Sequence, residues 1–90
     1  MWKVKYTKKF LKELSKVPKN IQERVEKIVF MELKGSDPFS LGYVERLKGF
    51  KDKYKIRVGD YRIGLRIDTE KREVVCLRVA HRKDIYKLFP

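Results

Sequence analysis

The chain has 90 residues, enough for one domain and too few for two separate hydrophobic cores. Hydrophobic residues make up 42% and charged residues 40%, which is typical of a folded domain with a dense ionic surface and excludes a disordered chain. Lysine and arginine outnumber aspartate and glutamate by 24 to 12, so the net charge is +12. This charge attracts polyanions, and nucleic acid is the first partner to consider, ahead of an anionic membrane surface or an acidic protein.

The single cysteine argues against a disulfide-rich or cysteine-ligated zinc protein, and the distribution of apolar residues argues against a membrane-spanning or secreted one. Cys76 stands alone, so neither a disulfide framework nor a cysteine-based zinc site is possible. No segment has the length of a transmembrane helix, and the first ten residues lack the apolar run of a signal peptide. We therefore expect a cytoplasmic protein with no membrane contact and one domain over residues 1–90.

The N-terminal half predicts one strand and two helices. Apolar residues alternate with lysines over residues 2–6, which is typical of a strand with one buried face. Thr7 can cap a first helix, whose apolar residues follow at helical spacing. Pro18 ends that helix and begins the second, because proline is tolerated only in the first turn of a helix. Gly35 marks the end of the second helix.

The C-terminal half predicts strands. A short strand about residues 43–47 precedes residues 53–67, in which apolar and basic residues alternate on both sides of the pair Gly59-Asp60. This pair supplies a two-residue hairpin turn, since glycine readily adopts the positive φ that such turns need. A last strand covers residues 73–80, followed by a short helix or an ordered tail. The predicted fold class is α+β, with two antiparallel N-terminal helices on one face of a small, mostly antiparallel sheet and the other face exposed.

The turn also predicts which hairpin residues face each other. On the side away from the helices, the predicted pairs are Lys53 with Arg66, Lys55 with Gly64, and Arg57 with Arg62. We call the five basic residues of these pairs the basic face. Like charges placed opposite each other cost about 0.2–1 kcal/mol per pair, so we interpret the face as an anion site in which Gly64 leaves room for the ligand. The alternative is a solvated surface whose charges serve stability.

A phosphodiester backbone suits this face, because arginine binds phosphate oxygens bidentately and lysine adds a mobile charge. Lys48, Arg78 and Arg82 can extend it. His81 is the only histidine, so a two-histidine acid–base pair is impossible, and no acidic cluster has the pattern of a two-metal site. Catalysis would then depend on cations that stabilise a pentavalent phosphorane. The residues alone support an RNA-binding module and a nuclease about equally.

The order strand–helix–helix–strands, with the stretches LKG, YKIRVGDYRIGLRI and RVAHRKDIY, resembles the RelE/ParE superfamily of toxin–antitoxin toxins over essentially the whole chain. The chain is most similar to the RelE branch, in its archaeal or thermophile type. The resemblance implies a single RelE-like toxin domain of a type II system, with a microbial RNase-type fold. It further implies a ribosome-dependent endoribonuclease that inhibits translation by cleaving mRNA in the A site, where the 2′-hydroxyl attacks the adjacent phosphate. It implies no metal and no other cofactor.

The resemblance also implies roles for individual residues. The expected catalytic residues are Lys55, Arg57, Arg62, Arg82 and Tyr86. Together with the basic face, the resemblance predicts RNA contacts by Lys48, Lys53, Arg66, Arg78 and His81. Arg57 stands where some members have lysine, so Lys55 is the better candidate for a lysine that carries a proton. His81 is either a base or a residue that orients the chain end, and Tyr86 either stacks on an RNA base or anchors the terminus.

The expected partners are a RelB-like antitoxin, acidic or amphipathic, and the ribosome with its rRNA and mRNA. Two alternatives stay open. A ParE-like toxin would inhibit DNA gyrase by binding protein, and the hairpin motif alone does not separate it from RelE. A non-catalytic RNA- or DNA-binding domain usually interleaves several aromatic residues with its cations, whereas Tyr86 is the one exposed candidate here.

Overall fold

The structure is a computed structural model that describes residues 1–90, and it contains one five-stranded sheet in the order β1-β5-β4-β3-β2. The strands are β1 (Lys3–Tyr6), β2 (Val44–Arg46), β3 (Lys53–Val58), β4 (Tyr61–Asp68) and β5 (Glu73–His81). The helices are α1 (Lys8–Leu14), α2 (Lys19–Lys27), α3 (Leu33–Gly35) and α4 (Ile85–Leu88). None of these helices combines the length and apolar character needed to cross a membrane.

The sheet and its packing confirm the predicted fold class. β1 pairs in parallel with β5, and all other neighbouring strands are antiparallel. The helices of the N-terminal half cover one face of the sheet and form with it a core of 14 buried residues, among them Phe10, Val25, Ile56 and Ile63. Alternation along β3 and β4 places the apolar residues in this core, so the basic residues of both strands lie on the opposite face.

Thr7 starts α1 at the edge of the sheet, as predicted. Its hydroxyl oxygen accepts a hydrogen bond from the Phe10 N–H at 3.0 Å and donates to the Leu77 carbonyl at 3.0 Å. β1 ends at Tyr6, so the second half of β5 has no strand partner on this side. Glu13 of α1 accepts a hydrogen bond from the Val79 N–H there at 3.1 Å, and the helix thereby covers the open strand edge.

The second predicted helix contains a change of helical type. α2 begins directly after Pro18, as expected, but a π-helical turn (Ile28–Glu32) separates it from α3. The Tyr6 hydroxyl donates a hydrogen bond of 2.6 Å to the Val29 carbonyl in this turn. Burial and the nearby Cys76 raise the pKa of Tyr6 to about 12. β1 and the π-helical turn are therefore joined by a polar contact as well as by apolar packing.

The expectation that the second face of the sheet is exposed is wrong for its middle part. The residues after β5 form the four-residue helix α4, which lies on this face. Leu47, Ile85 and Phe89 form a second, smaller buried cluster there, packed against Leu77 and Ala80 of β5. The C-terminal segment thus divides the face on which the basic residues lie.

Candidate active site

The register of the β3–β4 hairpin is confirmed for every predicted pair. Arg57 lies opposite Arg62, Lys53 opposite Arg66, and Lys55 opposite Gly64. Gly59 has a φ of +59°, the left-handed conformation that the two-residue turn requires. Because the turn sets all the pairs, the basic residues of both strands share one face.

Lys55 and Tyr86 form the centre of the candidate site. Lys55 Nζ donates a hydrogen bond of 3.0 Å to Tyr86 Oη and lies 5.5 Å from the centre of its ring. This hydrogen bond lowers the pKa of Tyr86, and the positive charges of Lys55, Arg62 and Arg57 act in the same direction. The Tyr86 side chain is 62% exposed. Its hydroxyl is therefore suited to proton transfer, and its ring is free to stack on a base.

Tyr86 does not anchor the chain end. Its neighbours Ile85 and Phe89 do so, at 2% and 4% exposure in the small cluster above β5. The helical turn that buries these two residues turns Tyr86 towards Lys55. The alternative in which Tyr86 fixes the terminus is therefore wrong.

Arg57 and Arg62 flank this centre, and each has a partner of its own. Arg57 Nε lies 3.1 Å from Glu45 Oε1 of β2. Arg62 Nη1 donates hydrogen bonds to the carbonyls of Gly59 and Tyr61, at 2.7 and 2.9 Å. The repulsion expected between the facing arginines is thus reduced within the protein, and it no longer requires a bound anion as its explanation.

The far end of the basic face contains charges of both signs. Lys53 Nζ forms a 3.0 Å ion pair with Asp52, and this contact, with a contribution from Arg66, lowers the pKa of Asp52. Arg66 also lies close enough to Glu73 to help lower the pKa of that carboxyl, after the larger effect of Lys5. Carboxylates therefore neutralise part of the positive charge at this end of the basic face.

Gly64 does not leave space for a ligand, contrary to the sequence-based expectation. A Cβ atom at Gly64 would lie 2.7–2.9 Å from three ring atoms of Phe89, so the aromatic ring rests directly on the glycine. The gap opposite Lys55 is therefore filled by the protein's own C-terminal segment.

Arg78 is partly buried, and its guanidinium group is bonded within the protein and does not extend the basic face as predicted. Its Nε and Nη2 atoms donate to both carboxylate oxygens of Glu13 at 2.7–3.1 Å, and its Nη1 donates to the Leu88 carbonyl at 3.1 Å. The side chain is 16% exposed, and the hydrogen bonds with Glu13 raise its pKa. An RNA contact by Arg78 stays a prediction, and it would require the guanidinium group to exchange one of these hydrogen bonds for a phosphate oxygen.

The remaining predicted site residues make no hydrogen bond with Lys55 or Tyr86. His81 pairs with Tyr61 in the sheet, and its Nδ1 accepts a hydrogen bond of 3.1 Å from the Lys83 N–H. The Arg82 N–H donates to the Asp60 carbonyl at 2.7 Å, and its Nε lies 3.8 Å from Asp60 Oδ1. Lys48 is exposed in the connection between β2 and β3.

Carboxylates are the part of the site that the sequence did not reveal. Glu13, Glu45 and Asp60 each bind an arginine that was expected to face RNA. Alternation along β2 puts Glu45 on the same side as Lys55, which was a usable signal, but no short turn set the register between β2 and β3. No group of three or more His, Cys, Asp or Glu side chains could hold a metal ion.

Comparison with known proteins assigns the chain to a class. Residues 4–86 match the family model for the ParE toxin of type II toxin-antitoxin system, parDE. The protein is therefore a toxin of a type II toxin–antitoxin system, and it belongs to the RelE/ParE superfamily, as the sequence predicted.

Relatives and solved structures place it with the RelE toxins. Toxin RelE3 of Methanocaldococcus jannaschii is 37% identical over 90 residues, covering 98% of this chain and 99% of the relative. Toxin RelG of Mycobacterium tuberculosis is 36% identical over 84 residues, with 93% and 94% covered. The RelB-RelE antitoxin-toxin complex from Methanococcus jannaschii contains a chain with a TM-score of 0.78 and 36% identity, with 96% and 99% covered.

Proposed function

We propose that this toxin is a metal-independent endoribonuclease that cleaves mRNA in the A site of the ribosome and so inhibits translation. The hydrogen bond between Lys55 Nζ and Tyr86 Oη, flanked by Arg57 and Arg62, carries the proposal. In this arrangement Lys55 and Tyr86 can transfer protons, and the two neighbouring arginines can bind phosphate. The mRNA substrate and its place in the ribosome are what membership of the RelE family implies.

The proposed reaction begins at the 2′-hydroxyl of the nucleotide before the scissile bond. The Tyr86 oxygen, as phenolate beside the Lys55 ammonium, takes the 2′ proton while the 2′ oxygen attacks the adjacent phosphorus. The bond from phosphorus to the 5′ oxygen breaks, and this oxygen receives a proton from Lys55. The products are a 2′,3′-cyclic phosphate and a free 5′-hydroxyl, and a proton passing from Tyr86 to Lys55 along their hydrogen bond restores the starting state.

Arg57 and Arg62 stabilise the extra negative charge of the pentavalent phosphorane in this scheme. Removing one preorganised donor from a developing oxyanion typically lowers the rate by about 10²–10³-fold. To bind the phosphate, Arg57 exchanges its surface ion pair with Glu45, which costs little because both side chains are exposed. Arg82 adds a third guanidinium group to the phosphate by exchanging its contact with Asp60. Lys48, Lys53 and Arg66 then bind neighbouring stretches of RNA.

A reporter mRNA translated on purified ribosomes tests the proposal. With the wild-type toxin we expect primer-extension stops at defined codon positions. Lys55→Gln should abolish the stops, whereas Lys71→Gln, which removes the same charge in the β4–β5 connection, should retain them. Equal cleavage by Lys55→Gln and the wild type would show that the Lys55–Tyr86 pair is not the reactive centre.

Inhibition of DNA gyrase is the second candidate, because the matching family model carries the ParE name. A gyrase inhibitor acts by binding protein and needs no proton transfer. A supercoiling assay run beside the translation assay separates the two. Loss of supercoiling without any cleavage of ribosome-bound mRNA would replace the nuclease proposal with this one.

For the protein partner we propose a RelB-like antitoxin. The solved relatives at 36% and 32% identity are toxins in the RelB-RelE complex from Methanococcus jannaschii and the RelBE2 complex from Mycobacterium tuberculosis. A net charge of +12 favours an acidic or amphipathic chain that wraps the toxin and covers the basic face. Coexpression of such a chain should restore growth that the toxin alone inhibits, and unchanged inhibition would contradict this partner.

A further inference from the structure

The position of Tyr86 depends entirely on tertiary contacts. α4 has only four residues, Ile85–Leu88, and so short a helix does not form by itself in water. Tyr86 itself is exposed, and its one hydrogen bond is with the flexible Lys55 side chain. Other residues must therefore hold the Tyr86 hydroxyl where the Lys55 ammonium meets it.

The apolar contact that holds α4 is centred on Phe89. Its ring lies on the backbone of Gly64 in the middle of β4, so closely that even the single carbon of an alanine side chain would overlap three ring atoms. Glycine weakens the interior of a strand, and its presence there often marks the close approach of another group. Here that group belongs to the chain's own C-terminus.

A polar contact also holds α4, and it comes from the residue that pairs with Gly64 in the sheet. Arg78 lies opposite Gly64 in the β4–β5 register, next to an irregularity in the pairing between Gly64 and Leu65. Its guanidinium group bonds to Glu13 of α1 and, through Nη1, to the Leu88 carbonyl at the end of α4. The ion pair therefore connects the C-terminal helix to α1 across the edge of β5.

We propose that Gly64, Phe89 and the Glu13–Arg78 ion pair form a clamp that positions Tyr86 over Lys55. This inference rests on the proposed nuclease function for its effect on cleavage, but the clamp itself is a property of the fold. Gly64 and Arg78 are positioning residues, since both act through α4 and neither bonds to Lys55 or Tyr86. The geometry of the site then depends on residues outside the basic face.

Gly64→Ala is the primary test, with Gly35→Ala as its matched control. An added Cβ at Gly35 meets nothing within 4 Å, whereas at Gly64 it meets the Phe89 ring. Fluorine NMR of fluorotyrosine-labelled protein, with the Tyr86 signal assigned through Tyr86→Phe, follows the titration of this hydroxyl. We expect Gly64→Ala to raise the Tyr86 midpoint, because contact with Lys55 is lost, and Gly35→Ala to leave it unchanged.

The cleavage assay gives the second readout. A displacement of about 1 Å in a reacting group can cost on the order of 100-fold, so we expect kcat to fall by about that factor in Gly64→Ala. The ribosome concentration at half-saturation should change by less than about twofold, because the basic face is intact. Arg78→Met should likewise lower kcat and leave the ribosome concentration at half-saturation almost unchanged. If Arg78 instead binds RNA, the substitution should weaken RNA binding and reduce its salt dependence.

Phe89→Ala provides the same readouts if Gly64→Ala fails to fold, since it removes the ring without crowding the main core. A folded Gly64→Ala or Phe89→Ala protein with wild-type Tyr86 titration and wild-type kcat would overturn the clamp. If the wild-type toxin cleaves no ribosome-bound mRNA, the proposed function is wrong, and the Tyr86 titration alone still decides whether the clamp exists.

Discussion

Arg57 lies directly opposite Arg62 in the hairpin, yet the two guanidinium groups bond in different directions. Arg57 Nε meets the Glu45 carboxylate of β2 at 3.1 Å, and Arg62 Nη1 meets the Gly59 carbonyl of the turn at 2.7 Å. Each arginine is thus turned away from the other by a weak, exposed contact. These contacts stabilise the two arginines when no ligand is bound. Because the contacts are weak, both arginines can exchange them for phosphate oxygens when a ligand binds.

We expect Glu45→Gln to loosen this arrangement in a measurable way. The free energy of unfolding should fall by less than about 1 kcal/mol, because the ion pair is exposed. Freed Arg57 should bind single-stranded RNA more tightly, and the slope of log K against log salt should steepen by about 0.7. Glu70→Gln, with the same charge change in the β4–β5 connection, is the control. Equal effects of the two substitutions would mean that the change in net charge, and not the release of Arg57, causes the tighter binding.

The pH dependence of cleavage should report Tyr86. Its pKa is lowered by the hydrogen bond from Lys55, so the rate of ribosome-bound cleavage should rise with pH, and the midpoint of this rise should lie below the ordinary tyrosine value of 10.0. Lys55→Gln should move this midpoint upward in whatever activity remains. Tyr86→Phe should lower the rate by about 10²–10⁴-fold and remove the dependence. An unchanged profile in Tyr86→Phe would exclude Tyr86 as the titrating group.

The substitution Arg82→Ala distinguishes a nuclease from a domain that only binds RNA. Arg82 bonds to Asp60 at the hairpin turn, and exchange of this weak contact for a phosphate oxygen is the proposed role. A catalyst should lose about 10²–10³-fold in turnover while ribosome binding survives. A non-catalytic domain should lose only modest RNA affinity, with a smaller salt slope. Lys83→Ala, one residue further along the same exposed turn, should resemble the wild type in both measurements.

Two partly buried tyrosines, Tyr6 and Tyr43, should make the protein less stable at alkaline pH. Tyr6 has an ordinary pKa of 10.0 when unfolded and about 12 when folded, so between these values the unfolded chain loses a proton that the folded chain keeps. The free energy of unfolding therefore falls as pH rises above 10. Burial and the hydrogen bond with Glu32 raise the pKa of Tyr43 and add to the same trend.

Urea unfolding of Tyr6→Phe measures this contribution. At pH 7 the variant should be less stable by about 1 kcal/mol, since the hydrogen bond to the Val29 carbonyl is lost. Its alkaline loss of stability should be shallower than that of the wild type, because Tyr6 no longer contributes to it while Tyr43 and the buried Cys76 thiol still do. A slope identical to that of the wild type would mean that Tyr6 keeps its ordinary pKa in the fold.

Local patterns predicted the hairpin and the fold class correctly for a physical reason. A two-residue turn leaves no freedom of register, so Gly59-Asp60 determined each pair from Val58–Tyr61 to Lys53–Arg66. Helix starts at Thr7 and Pro18 were equally local, because capping and the fixed φ of proline act within one turn. The position of α4 was not predictable in this way, since it depends on what its few apolar residues meet.

By itself, therefore, the sequence determined the order of elements, the hairpin register and the concentration of positive charge on one side of the sheet. Only the tertiary structure decided which of those charges are free. Glu13 is 65 residues from Arg78 along the chain, and Phe89 follows Gly64 by 25 residues, so neither contact leaves a periodic signal. Packing filled the predicted gap at Gly64, paired Arg78 with Glu13 and brought Tyr86 to Lys55. These contacts depend on which distant segments the fold places side by side, and a partly buried polar group such as the Arg78 guanidinium needs a partner there.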